Sequence, residues 1–347
     1  MKVSIIIPTY NRASYLQTTL VSITKQVFNR NGFEIIVIDN GSSDNTNEVC
    51  RRYSEYFKNF IYYFDPTPGL LTGRHKGAEL STGEVLSFID DDVELNKYWL
   101  KGVATAFVEN QDVQLVTGPN LPKYEISPPK WLNAFWTSTP YGGRCCTWLS
   151  LLNLGSKQLI VDPMYVWCLN FSIRKSIFCQ LGGFHPDNIP PQLQQFQGDG
   201  ETGLALKAKR MNYTAVYTPL AKVYHHVPEN RMTLEYFEKR AFYQGVCDSY
   251  SSIRREHKLY PAEDKVAVIE NKKSRSPVKR LINKLGRIVF NRRREKDSKM
   301  VNQIHELVQI KYNEGFQFHQ KAFKEQEIVR DWILRENYWD YKLPTYG

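Results

Sequence analysis

A chain of 347 residues with 42% hydrophobic and 13% aromatic content carries enough apolar material for a full core, which excludes a disordered or fibrous protein. Its six cysteines show neither CxxC nor Cys/His zinc spacing and read as reduced thiols of a cytosolic protein. The formal charge of +10 is unevenly placed: residues 1–230 carry +1 and residues 231–347 carry +9, with 12 basic and 2 acidic residues inside 272–299.

Met1-Lys2 runs straight into the apolar segment Val3–Ile7, so no secretory leader is expected. No apolar stretch approaches the roughly 20 residues of a spanning helix. Up to residue 120, short β-rich runs alternate with helical patterns. Strands are predicted at Val3–Ile7, Glu34–Ile38, Phe60–Phe64, Val85–Ile89 and Val113–Thr117, with helices near Ala13–Val27, Asn45–Phe57, Thr72–Leu80 and Asn96–Glu109. Such alternation predicts an α/β fold with a mixed, mostly parallel sheet flanked by helices. Ligands of these sheets gather at the carboxyl ends of the strands. Polar residues follow three of them: Pro8-Thr9-Tyr10-Asn11-Arg12, then Asp39 through Asp44, then Asp90-Asp91-Asp92.

The three consecutive carboxylates end an apolar run, where like charges repel and an ordinary core has no use for them. A hard divalent cation, Mg²⁺ or Mn²⁺, would reverse that balance by taking carboxylate oxygens together with phosphate and water. In extended chain Asp90 and Asp92 point the same way and could share one ion or one nucleotide. A solvated acidic turn is the competing reading. Asp39 could accept from a base N–H, although a capping and turning role suits Asp44. Arg74, between two glycines ahead of the acidic strand, could pair with a diphosphate or orient the aspartates.

Residues 120–165, rich in Pro, Trp and Gly, read as a long loop with short helices. A strand is predicted at Tyr165–Ile173, a helix at Thr202–Met211, and strands at Tyr213–Tyr217 and Ala221–His226. Asp199 and Glu201 bracket a glycine ahead of that helix, and one of them could take a proton from a hydroxyl. In the His225-His226 pair, one imidazole could be a further metal ligand. Past Pro228 the pattern is mainly helical. Within Pro277–Asn291, Val278, Leu281, Ile282, Leu285, Ile288 and Val289 fall on one helical face. Lys279, Arg280, Lys284 and Arg287 fall on the other, followed by Arg292, Arg293 and Arg294. A basic amphipathic helix of this kind suits an anionic membrane surface, at about 1 kcal/mol per cation. Without interleaved aromatics it does not suit nucleic acid. The aromatic-rich stretch Ile304–Tyr346 is expected to pack on the catalytic part or on a second copy of the chain.

In order and spacing, Pro8–Arg12, Val37–Asp44, Arg74-His75-Lys76-Gly77 and Gly83–Asp92 resemble the family 2 glycosyltransferases, over roughly residues 1–230. The resemblance implies a GT-A (Rossmann-like) fold with a mainly helical C-terminal appendage: a nucleotide-binding half at about 1–118, an acceptor half at about 119–230, and a basic helical region at 231–347. It implies an inverting, metal-dependent transfer from a nucleotide-diphosphate sugar, UDP by default, to a hydroxyl of a glycan or glycolipid. The setting it implies is cell-envelope polysaccharide synthesis at the cytoplasmic face of the membrane. Pro8, Thr9, Tyr10, Asn11, Arg12, Asp39, Arg74, Asp90 and Asp91 are then expected at the nucleotide sugar, with Asp90, Asp92 and His225 at the metal. The base is Asp199 or Glu201, with the sequence leaning to Asp199, since the family's Glu-Asp pair is replaced here by Asp-Gly-Glu. No Gln-x-x-Arg-Trp follows, which argues against a processive synthase. Two rivals stand beside this reading: a nucleotidyltransferase, which would want a Gly-rich phosphate loop that residues 8–12 lack, and a non-enzymatic membrane scaffold, which would leave the acid cluster idle.

Overall fold

The computed structural model describes residues 1–67, 69–260, 287–340 and 342–343. Strands β1 (Val3–Thr9), β2 (Phe33–Asp39), β3 (Phe60–Phe64) and β4 (Val85–Ile89) are short runs dominated by β-branched and aromatic residues. Helices α1 (Ala13–Thr24), α2 (Thr46–Ser54) and α3 (Leu70–Leu80) connect them. Then come β5 (Val93–Leu95), α4 (Trp99–Glu109), β6 (Val113–Thr117) and β7 (Asn120–Tyr124). The main sheet has eight strands. Its parallel half runs β3-β2-β1-β4, and beyond β4 it continues through β12 (Asn170–Arg174), β6, β13 (Thr214–Tyr217) and β11 (Leu159–Val161), with β12 and β11 antiparallel to their neighbours.

Every side chain of β1, β2 and β4 is buried, as expected for strands covered on both faces. The pleat divides them. Ile5, Ile7, Ile35, Val37 and Ile89 join α1, α2 and α4 in one core, while Ile6, Ile36, Ile38, Phe88 and Phe171 join α3 in another. Close approach of α3 depends on glycine: a Cβ on Gly77 would stand 2.3 Å from Ile6 Cγ2.

The stretch expected as loop forms a second, six-stranded sheet instead. In it β5, β14 (Val223–Val227) and β7 are followed by β10 (Leu151–Asn153), β9 (Arg144–Cys146) and β8 (Thr137–Ser138). These strands have two to five residues, too few to show a period, and are defined by pairing: β5 and β7 flank remote β14, and β10, β9 and β8 continue from β7. The strand expected from Tyr165 begins only at Asn170, after a turn at Pro163–Tyr165 capped by the Asp162 carboxylate.

Two short helices, α5 (Lys175–Gln180) and α6 (Glu201–Arg210), precede the C-terminal helices α7 (Leu234–Glu256), α8 (Arg287–Glu325) and α9 (Glu327–Ile333). Helices α7 and α8 run in the same direction, Ala241 packing with Val308, Ser249 with His319 and His257 with Phe323, and they touch backbone to backbone. A Cβ on Gly245 would lie 2.0 Å from the Tyr312 carbonyl oxygen, and one on Gly315 would lie 2.0 Å from that of Phe242. Tyr250, Ile253, Trp332, Ile333 and Tyr338 belong to the same apolar core as Ile6 and Phe88, so the C-terminal helices are built into the body that carries the sheet. Lys279, Arg280 and Lys284 lie outside the described residues, while Arg287, Arg292, Arg293 and Arg294 fall in the first turns of α8. Among the described residues no helix is long and apolar enough to cross a membrane.

Candidate active site

The loops after β1 and β2 lace together. Asn11 takes a left-handed conformation (φ +51°), donates its N–H to Ser42 Oγ at 2.8 Å and accepts from the Ser43 N–H at 2.7 Å. Asp44 accepts from the N–H groups of Ala13 and Thr46, tying the starts of α1 and α2 together. Asp39 is 1% exposed, and each of its oxygens already has a donor: the Ser42 N–H and the Tyr62 hydroxyl, both at 2.8 Å.

Pro8, Thr9, Tyr10, Arg12, Asp90, Asp91 and Arg231 border a cavity of about 780 Å³ above the strand ends. Behind it the aspartates part ways. Asp91 is buried, accepts from Thr9 Oγ1 at 2.7 Å and pairs with Arg12 Nη1 at 2.8 Å. Burial raises its carboxyl above the usual range, Arg12 opposes this and the Asp92 charge adds to it. Asp92 pairs with Arg12 Nη2 at 2.6 Å and Arg231 Nη2 at 3.0 Å. Burial works against its charge, but His225, Arg231 and Arg12 outweigh it and hold the carboxyl well below the usual range. Asp90 is the most open of the three and faces Arg74 Nη2 at 3.4 Å.

The second oxygen of Asp92, Oδ1, is buried without a hydrogen bond and stands 3.5 Å from His225 Nε2. His225 Nδ1 lies 3.0 Å from the Leu149 carbonyl, which can only accept, so Nδ1 carries the proton and Nε2 presents a lone pair on the Asp92 side. Arg231 Nη1 donates to that lone pair at 2.8 Å. An orphaned carboxylate oxygen beside an imidazole oriented through its other nitrogen suits a divalent cation. Among the described residues no group of three or more His, Cys, Asp or Glu could hold one unaided, as is usual for ions that bring substrate phosphates with them. His226 points elsewhere, to Glu94 Oε1 at 2.7 Å.

A second chamber of about 390 Å³ shares Leu70, Asp90, Asn188 and Arg231 with the first. Arg74, 3.6 Å from Asp187 Oδ2, lines it together with Glu201 in the first turn of α6. Burial raises the Glu201 carboxyl, Arg74 opposes this and Asp187 adds to it. Asp199 sits differently. It is buried and bonded to His185 Nδ1 (2.9 Å), Ser251 Oγ (2.7 Å) and Tyr260 Oη (2.8 Å). Burial again works against the charge, and those three partners hold it below the usual range. Arg231 and Asp187 were not found in the sequence: each lies in a short aperiodic turn with no motif around it. The inward stripe of α7, by contrast, repeats at helical spacing and was open to discovery.

Residues 4–154 match the model of glycosyl transferase family 2. This stretch is a family 2 glycosyltransferase domain. Among similar proteins, glycosyltransferase AglE of Haloferax volcanii is 38% identical over 184 residues, 52% of this chain and 55% of that one. The glucosyl-dolichyl phosphate glucuronosyltransferase of the same organism is 24% identical over 275 residues, covering 78% and 83%. Validoxylamine A glucosyltransferase of Streptomyces hygroscopicus subsp. jinggangensis is 25% identical over 198 residues, covering 53% and 47%. The match thus spans about half the length of the first and third of these relatives. Mannosyltransferase PcManGT from Pyrobaculum calidifontis, solved in complex with GDP-Man and Mn²⁺, superposes with a TM-score of 0.53 at 16% identity over 98% of this chain and 88% of that one. The family 2 domain has the GT-A fold.

Proposed function

We propose that this chain is a glycosyltransferase that moves a sugar from a nucleotide-diphosphate sugar to a hydroxyl of a glycan or glycolipid, with inversion in a single displacement. The observation that carries the reading is the junction of the two chambers: both open on Asp90 and Arg231, with the Asp92–His225 pair behind the first and the Glu201 carboxyl on the second. A donor in the larger chamber and an acceptor in the smaller would meet there. The donor half is then residues 1–118 and the acceptor half 119–230.

Arg12 and Arg231 stand beside the place where leaving-group charge would develop, and fixed cations at such a place stabilise it. Asp92 and His225, with Asp90 near them, would hold Mn²⁺ or Mg²⁺, which when bound supplies neutralisation of the departing diphosphate. Of the two carboxylates offered by the sequence we assign the base to Glu201, because both Asp199 oxygens are already bound by donors. A carboxyl raised above its ordinary range is a stronger base once ionised, which suits proton abstraction. In the displacement the acceptor oxygen forms its bond to the anomeric carbon as the bond to the diphosphate breaks, and the hydroxyl proton passes to Glu201. The neighbour's GDP-Man and Mn²⁺ support a nucleotide sugar and a divalent ion here, and UDP-sugars remain the first donors to try. The basic segment 272–299 supports attachment to an anionic membrane surface.

Thermal-shift measurement across UDP- and GDP-sugars, with and without Mn²⁺, tests the reading. A stabilising donor whose effect needs the metal, followed by donor turnover, is the expected result. A flat response to every nucleotide sugar overturns it.

A further inference from the structure

A helix that walls a protein interior ordinarily turns an apolar stripe inward. The stripe α7 turns to the second chamber is Tyr236, Lys239, Arg240, Tyr243, Gln244 and Cys247, spaced three and four residues apart. It carries no carboxylate. Among the described residues neither Lys239 nor Arg240 has a carboxylate within ion-pair distance. The nearest acids of α7, Glu235 and Glu238, face a neighbouring groove that Lys239 and Tyr243 also border, and form no ion pair with either cation. Lys239 stands 5.8 Å from the Tyr243 ring. The half-buried indoles of Trp148 and Trp167 also line the chamber. Of its four acids, Asp90, Asp187 and Glu201 cluster around Arg74, and Asp199 is held by His185, Ser251 and Tyr260.

The chamber is therefore divided: carboxylates around Arg74, and aromatic rings with two unpaired cations along α7. Aromatic faces suit the apolar face of a sugar ring, and cations within reach of it suit an anionic substituent. We propose, resting on the transferase reading above, that the acceptor is an anionic glycan whose carboxylate or phosphate is held by Lys239 and Arg240 while its reacting hydroxyl faces Glu201. Neither cation is placed on the donor: both line the smaller chamber and neither lines the larger.

The test uses the full chain with Mg²⁺ and UDP, and three probes followed by ligand-detected NMR titration: methyl glucoside, methyl glucuronide and glucose 6-phosphate. The two anions are expected to bind about tenfold tighter than the neutral glycoside, as charge-assisted hydrogen bonds do, and to lose that margin as NaCl rises. The better of the two anions identifies the source of the charge. Lys239→Gln/Arg240→Gln should bind all three probes alike, and Lys239→Glu, at an exposed position, should weaken the anions further without a change in unfolding temperature. Equal binding of neutral and anionic probes overturns the proposal, as does a preference that survives in the double variant. UDP binding is read in parallel. Its loss in the double variant alone would assign these cations to the donor and also overturn the proposal. Absence of UDP and GDP binding in the unmodified chain would instead count against the transferase reading.

Discussion

Ser251, in the last two turns of α7, donates its hydroxyl to the Asp199 carboxylate 2.7 Å away, across 52 residues of chain. Tyr260 reaches the same carboxylate and, at 2.6 Å, His185 Nδ1. The C-terminal helices thereby hold the segment Asp199-Gly200-Glu201. Gly200 has φ +56° and ψ −119°, a conformation open to glycine alone, and it places Glu201 at the head of α6.

This arrangement separates the two carboxylates by surroundings, and the proposed base is tested on that difference. Glu201→Gln is expected to lower turnover by about 10²–10⁴-fold, the usual worth of a general base, with an unchanged unfolding temperature. Asp199→Asn should cost about 3 kcal/mol of stability, because it breaks a buried network, while the folded fraction keeps turnover within about tenfold. Steady-state kinetics beside thermal unfolding of both variants decides the matter; the reverse pattern would return the base to Asp199.

The pH dependence of turnover follows from the surroundings of Glu201. Its carboxyl is raised by burial and by Asp187, against Arg74, and a base must be ionised to act. The acid limb of kcat against pH is therefore expected above the ordinary carboxylate range. Asp187→Asn should move that limb to lower pH by removing the like charge.

Stability has its own pH dependence. Glu34 is held down to about 2 from 4.5: burial opposes its charge, but Lys2, Ser4 and Thr82 outweigh it. A carboxyl depressed in the folded state binds fewer protons than in the unfolded chain. Its stabilisation is complete above about 4.5 and is lost as pH falls toward about 2. Glu34→Gln should flatten the unfolding free energy over that window in acid titrations, with a loss on the order of 2 kcal/mol at neutral pH.

Removing the orphaned oxygen is a further test. Asp92→Asn and His225→Gln should each weaken Mn²⁺-dependent stabilisation by nucleotide about 10–100-fold, read as a shift in the Mn²⁺ midpoint of the thermal response. In the same assay Gly245→Ala should unfold about 2 kcal/mol more easily, because its Cβ would meet the Tyr312 backbone, which cannot move aside alone.

The readable part of this molecule was the part with a local cause. β1, β2 and β4 announce themselves as apolar runs, and several polar residues at their ends, Thr9, Arg12, Asn40, Asp90 and Asp91, line one cavity because strand direction places them there, while Asn11, Asp39 and Asp92 lie outside its lining. His225 was reachable as one of a pair, but which imidazole turns to Asp92 depends on pairing with β5, which a single sequence does not display. The second sheet was missed because β5 and β8 to β10 have no more than three residues each. Arg231 and Asp187 were missed because turns have no period. The capture of Asp199 by Ser251 and Tyr260 was hidden by chain separation, so the sequence weighed two equally free acids where the fold has one enclosed and one open.

The neighbourhood of Asp92 and His225 comes from strand register. His225 lies opposite Val93, and the His226 N–H donates to the Asp92 carbonyl. A slip of one residue would turn the imidazole to the opposite face of the ribbon and bring its neighbour round. On the ribosome the acidic trio emerges more than a hundred residues ahead of its imidazole, so a half-made chain carries the carboxylates alone. The Asp92–His225 pair proposed for the ion is thus complete only once the last strand of the sheet is made, and an interrupted or proteolysed product lacking β14 would hold Asp92 without its imidazole.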